Sequence, residues 1–358
     1  MAEQTRRRQE TMTSAERMGA VMMGQRPDRI PILPFAGGFC AKIVGIPLAR
    51  IYDDPEKSFW AQMWTQELIG YDGGPMFGYA SYGAWEFGGE IKMPSSEWEQ
   101  APIITKHAAR TPEEVDALEI PDVETAGFYP MALEFARIQQ QFGMPIIVIA
   151  MSGFTPAGNI VGLDKMCRWM VREPEVAHKL LRKTVLFGKK VVDYYVDTFS
   201  PYPLSVMSGE ASAANQIISP RQFEEFVFPY LKEMHEYYLE HGLMSIFAHI
   251  CGEQNLNLPY WRKLPWGPAP ILSFGHEVDL TKAMELFPDA VVAGNVEPRV
   301  IQEGTWQEVY ELAKACIDKA KYHPRGYMLM AGCDVPPQAP VFNIYALKKA
   351  VMDHGFYD

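Results

Sequence analysis

The stretch Met-Ser-Ile-Phe-Ala-His-Ile-Cys-Gly at residues 244–252 is apolar at nearly every position up to its histidine and is closed by a glycine. A run this short that does not alternate between apolar and polar residues reads as a strand covered on both faces, the pattern of parallel sheets. Runs of the same kind occur at Ile30–Phe35, Pro145–Met151, Leu204–Met207, Ile271–Phe274, Ala290–Gly294 and Tyr327–Ala331, with a weaker one at Tyr71–Met76. Between them the spacing predicts helices over Arg8–Met23, Pro55–Ile69, Phe128–Phe142, Pro174–Thr198, Pro220–His241, Asp279–Phe287, Thr305–Lys321 and Asn343–His354. Eight strands with crossover helices point to an α/β protein of the (β/α)8 or TIM-barrel type, with a doubly wound open sheet as the alternative.

Several helix starts carry their own chemistry. Asp54-Pro55, Thr111-Pro112 and Ser219-Pro220 place a capping side chain ahead of a proline that gives up only an orphan donor. One stretch breaks the alternation: from Gly73 to Arg110 the chain is rich in Gly, Pro and aromatic residues, including Phe77, Tyr79, Tyr82, Trp85 and Phe87. It reads as an excursion after strand two, either a packed lid or a platform for a ring, with Phe77, Tyr82 and Trp85 as candidate substrate contacts. No internal repeat or linker divides the chain, so residues 1–358 are read as one domain.

Composition narrows the function. A chain of 358 residues with 48% hydrophobic and 22% charged residues buries a large core. Its charge sum, 33 minus 44 or −11, repels phosphate backbones, which argues against a nucleic-acid partner. Arg6, Arg7 and Arg8 precede no apolar stretch, and no run of about 18 apolar residues follows, so neither a signal peptide nor a membrane span is expected. Five cysteines, at 40, 167, 251, 316 and 333, form no disulfide framework and suit a cytoplasmic protein. No phosphate-cradling glycine loop and no Gly-x-Ser-x-Gly elbow is present.

The chemistry gathers where strands are expected to end. Glu210 follows strand four, His249 and Cys251 strand five, His276 and Glu277 strand six, Asn295 and Glu297 strand seven, Cys333 and Asp334 strand eight. Barrel active sites are built at that face. His249 and Cys251, two apart on an extended chain, point the same way, and Cys333 adds a second thiolate. One nitrogen and two sulfurs suit zinc and leave a fourth position open. Glu210 reads as a fourth ligand, a base or a plain loop carboxylate. His276 with Glu277 reads as support for a ligand or as a cap for the helix at Asp279. Cys167 and Cys316 sit in helical contexts where a thiol simply packs.

At these residues the sequence resembles the uroporphyrinogen decarboxylase superfamily, and within it the zinc-dependent, corrinoid-linked methyltransferases. The matching stretches are Arg26-Pro-Asp-Arg-Ile-Pro31, Asp54-Pro-Glu-Lys57, Gly70-Tyr-Asp-Gly73, Ile218-Ser-Pro-Arg-Gln-Phe223 with Pro229-Tyr230, His249-Ile-Cys-Gly252, Gly294-Asn-Val-Glu-Pro298 and Gly332-Cys-Asp-Val-Pro-Pro337. The resemblance implies a (β/α)8 barrel and places His249, Cys251 and Cys333 at the family's zinc ligands. It also implies a corrinoid, free cobalamin or carried on a protein, as methyl-carrying co-substrate. The decarboxylase branch is metal-free and bears arginine after its first strand, whereas no Arg occurs from Ile30 to Ala49 here. The expectation is therefore a zinc methyltransferase, moving methyl from a donor such as a methoxylated aromatic to Co(I) corrinoid by O-demethylation. Transfer from methylcorrinoid to a thiol such as coenzyme M stands as the alternative, and tetrapyrrole decarboxylation behind it.

Overall fold

The computed structural model describes residues 9–150 and 152–357. A small antiparallel hairpin, β1 (Glu90–Lys92) with β2 (Ile103–Lys106), precedes six parallel strands: β3 (Ile146–Ile149), β4 (Leu204–Gly209), β5 (Ile246–Ile250), β6 (Ile271–Phe274), β7 (Val291–Val296) and β8 (Tyr327–Ala331). These six form one sheet in the order in which they occur in the chain, with a helix in every crossover. This is an α/β fold with a parallel six-stranded sheet, consistent with the expected barrel.

The first two expected strands do not form as such. Residues 30–35 contribute only a parallel bridge, Ile32 to Leu329. Leu33 N–H donates to the Leu329 carbonyl at 3.0 Å, Leu329 N–H to that of Pro31 at 2.9 Å, and Asp72 N–H to that of Ile32 at 2.7 Å. Pro31, Pro34 and Pro75 lack the donors that a longer ladder needs. Side chains take over part of that task. Asp72, itself buried, accepts from Arg17 at 2.6 Å, from Arg29 at 2.7 Å and from Ile32 N–H at 2.9 Å.

Most of the apolar core lies between sheet and helices, and a second cluster sits on the sheet's other side. Val21, Phe247, Ile271, Val291, Ala293, Met328 and Met330 form it, with Met18, Met22, Leu33, Phe35 and Met207 packed on its edge. Phe247 and His249 share a strand face, so His249 stands directly above this inner plug.

Helix boundaries follow local chemistry. The first helix is Ser14–Met22, capped by a Thr13/Glu16 capping box; the predicted start at Arg8 lies outside the described residues. The stretch 220–241 is two helices, Pro220–Phe226 and Phe228–Glu240, because Pro229 has no N–H for the preceding turn. Helices Gly37–Val44, Phe154–Val161 and Leu163–Arg172 fall outside the expected elements, although the last is strongly amphipathic, with Met166, Trp169 and Met170 on its buried face. Among the described residues no helix is long and apolar enough to cross a membrane.

Candidate metal centre

Three strand ends converge because glycines let them touch. A β-carbon at Gly275, after β6, would lie 2.7 Å from the Gly252 nitrogen after β5, and one at Gly332, after β8, would lie 2.7 Å from the His276 nitrogen. With those positions bare, the loops carrying Cys251, His276 and Cys333 close on one another. The donor atoms of His249, Cys251 and Cys333 all lie within 4.8 Å of each other.

The residues fit a zinc ion. The Cys251 and Cys333 sulfurs are 3.6 Å apart, and two sulfurs at about 2.3 Å from one tetrahedral zinc stand roughly 3.8 Å apart. His249 Nδ1 pairs with Ser273 Oγ at 3.1 Å, which fixes the ring, while Nε2 is buried without a hydrogen-bond partner. A buried polar atom left without a partner is costly, and metal coordination supplies one. The ring of Phe35 lies 5.7 Å from that of His249, an apolar wall beside the open side.

The two thiols are unequal. The Cys251 S–H donates to Cys333, an interaction that, together with burial, pushes Cys251 up. The same hydrogen bond, helped by His249, holds Cys333 well below the ordinary thiol range. Next to it, Asp334 is pushed up to about 8 by burial and by the Cys333 charge, and it accepts from Gln100 Nε2 at 3.3 Å. Gln338 Nε2 donates to the Glu97 carbonyl at 2.9 Å, so the excursion is tied to the β8 loop at two points.

Other expected site residues are placed elsewhere. Glu210 is fully buried and faces the helix layer, as does Ser208, which pairs with His235 at 3.0 Å. Its carboxylate accepts from Ser152 Oγ at 2.8 Å and from the N–H groups of Phe154 at 3.0 Å and Thr155 at 2.6 Å. It closes the start of helix Phe154–Val161 and is not among the gathered donor atoms; burial raises it despite those donors. His276 Nδ1 lies 3.4 Å from Glu277, half-exposed at the rim.

In the excursion, Phe77 is buried and stacks on Phe135 at 5.2 Å. The ring packs into the core. Tyr82 and Trp85 are half-buried and packed on that core. Burial and the Glu210 charge push the Tyr82 hydroxyl up.

Two residues at the centre, Ser273 and Gln100, are not among those expected from the sequence, whereas Glu277, expected as support, bears on Cys251 through its charge. Ser273 carried a signal, being the only polar residue in an otherwise apolar strand. Gln100 lies in the excursion, where spacing predicts no partner.

Comparison with known proteins places this geometry. The family model for uroporphyrinogen decarboxylase (URO-D) matches residues 13–354. The "Methylated-thiol--coenzyme M methyltransferase" of Methanosarcina mazei is 26% identical over 265 residues, 71% of this chain and 66% of that protein. A uroporphyrinogen decarboxylase of Myxococcus xanthus is 28% identical over 260 residues, 69% of each chain. The solved structure of a methyltransferase from Methanosarcina mazei superposes with a TM-score of 0.77 at 20% identity, covering 96% of this chain and 98% of that one. That last likeness is one of fold, and it agrees with the sheet and crossovers described above. With the model matched across nearly the whole length, the chain belongs to the uroporphyrinogen decarboxylase family.

Proposed function

We propose that this chain is a zinc-dependent methyltransferase that moves a methyl group between a small molecule held at His249, Cys251 and Cys333 and a corrinoid co-substrate. The observation that carries the reading is the trio of donor atoms within 4.8 Å, one of them the partnerless His249 Nε2. The name of the Methanosarcina mazei relative adds the transfer chemistry. Zinc, when bound, supplies Lewis acidity toward a departing oxygen or sulfur, or holds an acceptor thiol as thiolate. The chain's own residues do the rest. Ser273 orients the ring of His249, and Phe35 keeps water from one side.

The direction we favour is from methyl donor to corrinoid. The aromatic argument for a methoxylated ring now rests on Tyr82 and Trp85, since Phe77 packs inward. The reverse, from methylcorrinoid to a thiol such as coenzyme M, is favoured by the relative's name. Further parts of the reading are one (β/α)8 domain over residues 1–358, a corrinoid free or on a carrier protein, and a reducing cytoplasmic setting in which the five free thiols persist. Nucleic acid and membrane stay outside it.

The test is metal analysis of the purified protein followed by optical spectroscopy of Co(I) cobalamin with a panel of methyl donors, and of methylcobalamin with thiols. Zinc together with conversion in either direction supports the reading. A protein purified with ample zinc and found metal-free, or one inert in both directions, overturns it.

A further inference from the structure

Helix Pro55–Ile69 is apolar on both of its faces. Inward it sets Phe59, Ala61 and Ile69 into the core. Outward it carries Trp60, Trp64 and Leu68, four residues apart along one line. Trp64 is 57% and Leu68 71% exposed, and Phe142, 47% exposed just past helix Tyr129–Gln141, continues the patch. The Trp60 ring lies 5.1 Å from that of Phe142 and 5.9 Å from that of Trp64. Single apolar side chains on a surface need no explanation, but a contiguous aromatic patch on a helix already buried on its other side is the pattern of a helix covered on both.

The charges on this face say what covers it. Lys57, Trp60, Trp64 and Glu67 are three, four and three residues apart, the spacing of the seam between two packed helices. Lys57 and Glu67 stand exposed at its two ends. Lys57 meets Asp54 of its own turn at 2.5 Å, and among the described residues no ion pair engages Glu67. The four positions are symmetrical about Gln62. A second Pro55–Ile69 helix laid antiparallel therefore brings Trp60 to the other copy's Trp64 and Lys57 to its Glu67, each contact made twice, whereas a parallel helix brings like charges together. Chains of net charge −11 repel one another, so a surface that meets its own copy has to match its charges, and this one does.

We propose that this face docks a second copy of the chain, the two Pro55–Ile69 helices running antiparallel about a two-fold axis level with Gln62, with Phe142 of each copy at the flank. Four large apolar side chains per copy make a small interface beside the standard of about 800 Å² per partner, so the dimer forms at micromolar concentration. The inference is independent of the metal reading, since no residue of this face belongs to the metal centre.

The test is the mass of the full chain in solution, followed by sedimentation equilibrium from about 1 to about 100 µM. It should climb from 40.5 kDa toward twice that value. Trp64→Glu should weaken association about 10-fold or more, the loss expected at an aromatic anchor, with far-ultraviolet circular dichroism and metal content unchanged. Lys57→Glu and Glu67→Lys should each weaken it, and the double variant Lys57→Glu/Glu67→Lys should regain it, because reversing both signs keeps the match. Phe342→Lys, at an exposed ring on another helix, should leave it as it is. A mass of 40.5 kDa at every concentration overturns the inference. So does a dimer that withstands Trp64→Glu, one that parts with Phe342→Lys, or a double charge reversal that associates no better than the single ones.

Discussion

The sulfur atoms of Cys251 and Cys333, 82 residues apart in the chain, stand 3.6 Å from one another, with the Cys251 S–H donating to Cys333. The β5 and β8 ends meet at this distance with bare glycines around them. The protein should carry about one zinc per chain. Cys251→Ala or Cys333→Ala should lose it while far-ultraviolet circular dichroism stays unchanged, because the core holds without the metal. Metal analysis beside the spectrum checks both halves.

The same closeness makes the pair oxidisable once metal is withdrawn. Chelator-treated protein given diamide, a two-electron oxidant, should form a Cys251–Cys333 disulfide with loss of two hydrogens, and zinc-loaded protein should resist. Mass spectrometry of the intact chain and of its peptides reads the difference.

Glu210 serves the start of helix Phe154–Val161 and Ser152. Glu210→Ala leaves those buried donors without acceptors and should cost about 1–3 kcal/mol of stability. Zinc content should stay at the unaltered level. Denaturant unfolding with metal analysis checks this, and loss of zinc would put the carboxylate back beside the metal.

Phe77→Ala should lower stability by about 3–5 kcal/mol, the scale for a buried aromatic ring removed from a packed core. The ring stacks on Phe135. Tyr82→Phe and Trp85→Leu, at half-buried positions, should shift the apparent KM for the methyl donor more than they shift the melting temperature.

Acid should weaken the protein through Asp28. Burial alone would raise its carboxyl, but hydrogen bonds from Arg17 and from the N–H groups of Thr11 and Met12 hold it well below the carboxylate range. A carboxyl depressed in the folded state contributes stability that is complete above its unfolded value of about 4 and is lost as pH falls toward the folded value. Melting temperature should therefore drop below pH ~4, and Asp28→Asn should flatten that dependence and lower stability at neutral pH.

Much of this was legible beforehand for a physical reason. Strands β3 to β8 are covered on both faces, so their apolar runs stand out, and the helix Pro55–Ile69 is bounded by Asp54 and Gly70 as capping chemistry requires. His249 and Cys251 could be paired because a strand fixes side-chain direction over two residues. Glu210 could not be placed, because both faces of β4 are packed and only the Ser208–His235 contact shows which face looks to the helices. The buried cluster of Arg17, Asp28, Arg29 and Asp72 escaped for another reason. Its members fall in stretches whose spacing reads as surface, and pairing of distant charges leaves no periodic trace.

That cluster gives the fold a preferred line of parting. Where residues 30–35 meet β8, two backbone hydrogen bonds and one bridge stand in for a ladder, and Asp72 with its two arginines carries the remaining cohesion. Buried pairs are little screened, so added salt should leave this seam shut. In native-state hydrogen exchange the amides of Leu33 and Leu329 should exchange with solvent sooner than those at the centre of β5 and β6. The chain would thus come apart along its earliest residues, on the flank where Phe35 leans on His249, and the metal would be exposed before the sheet is lost.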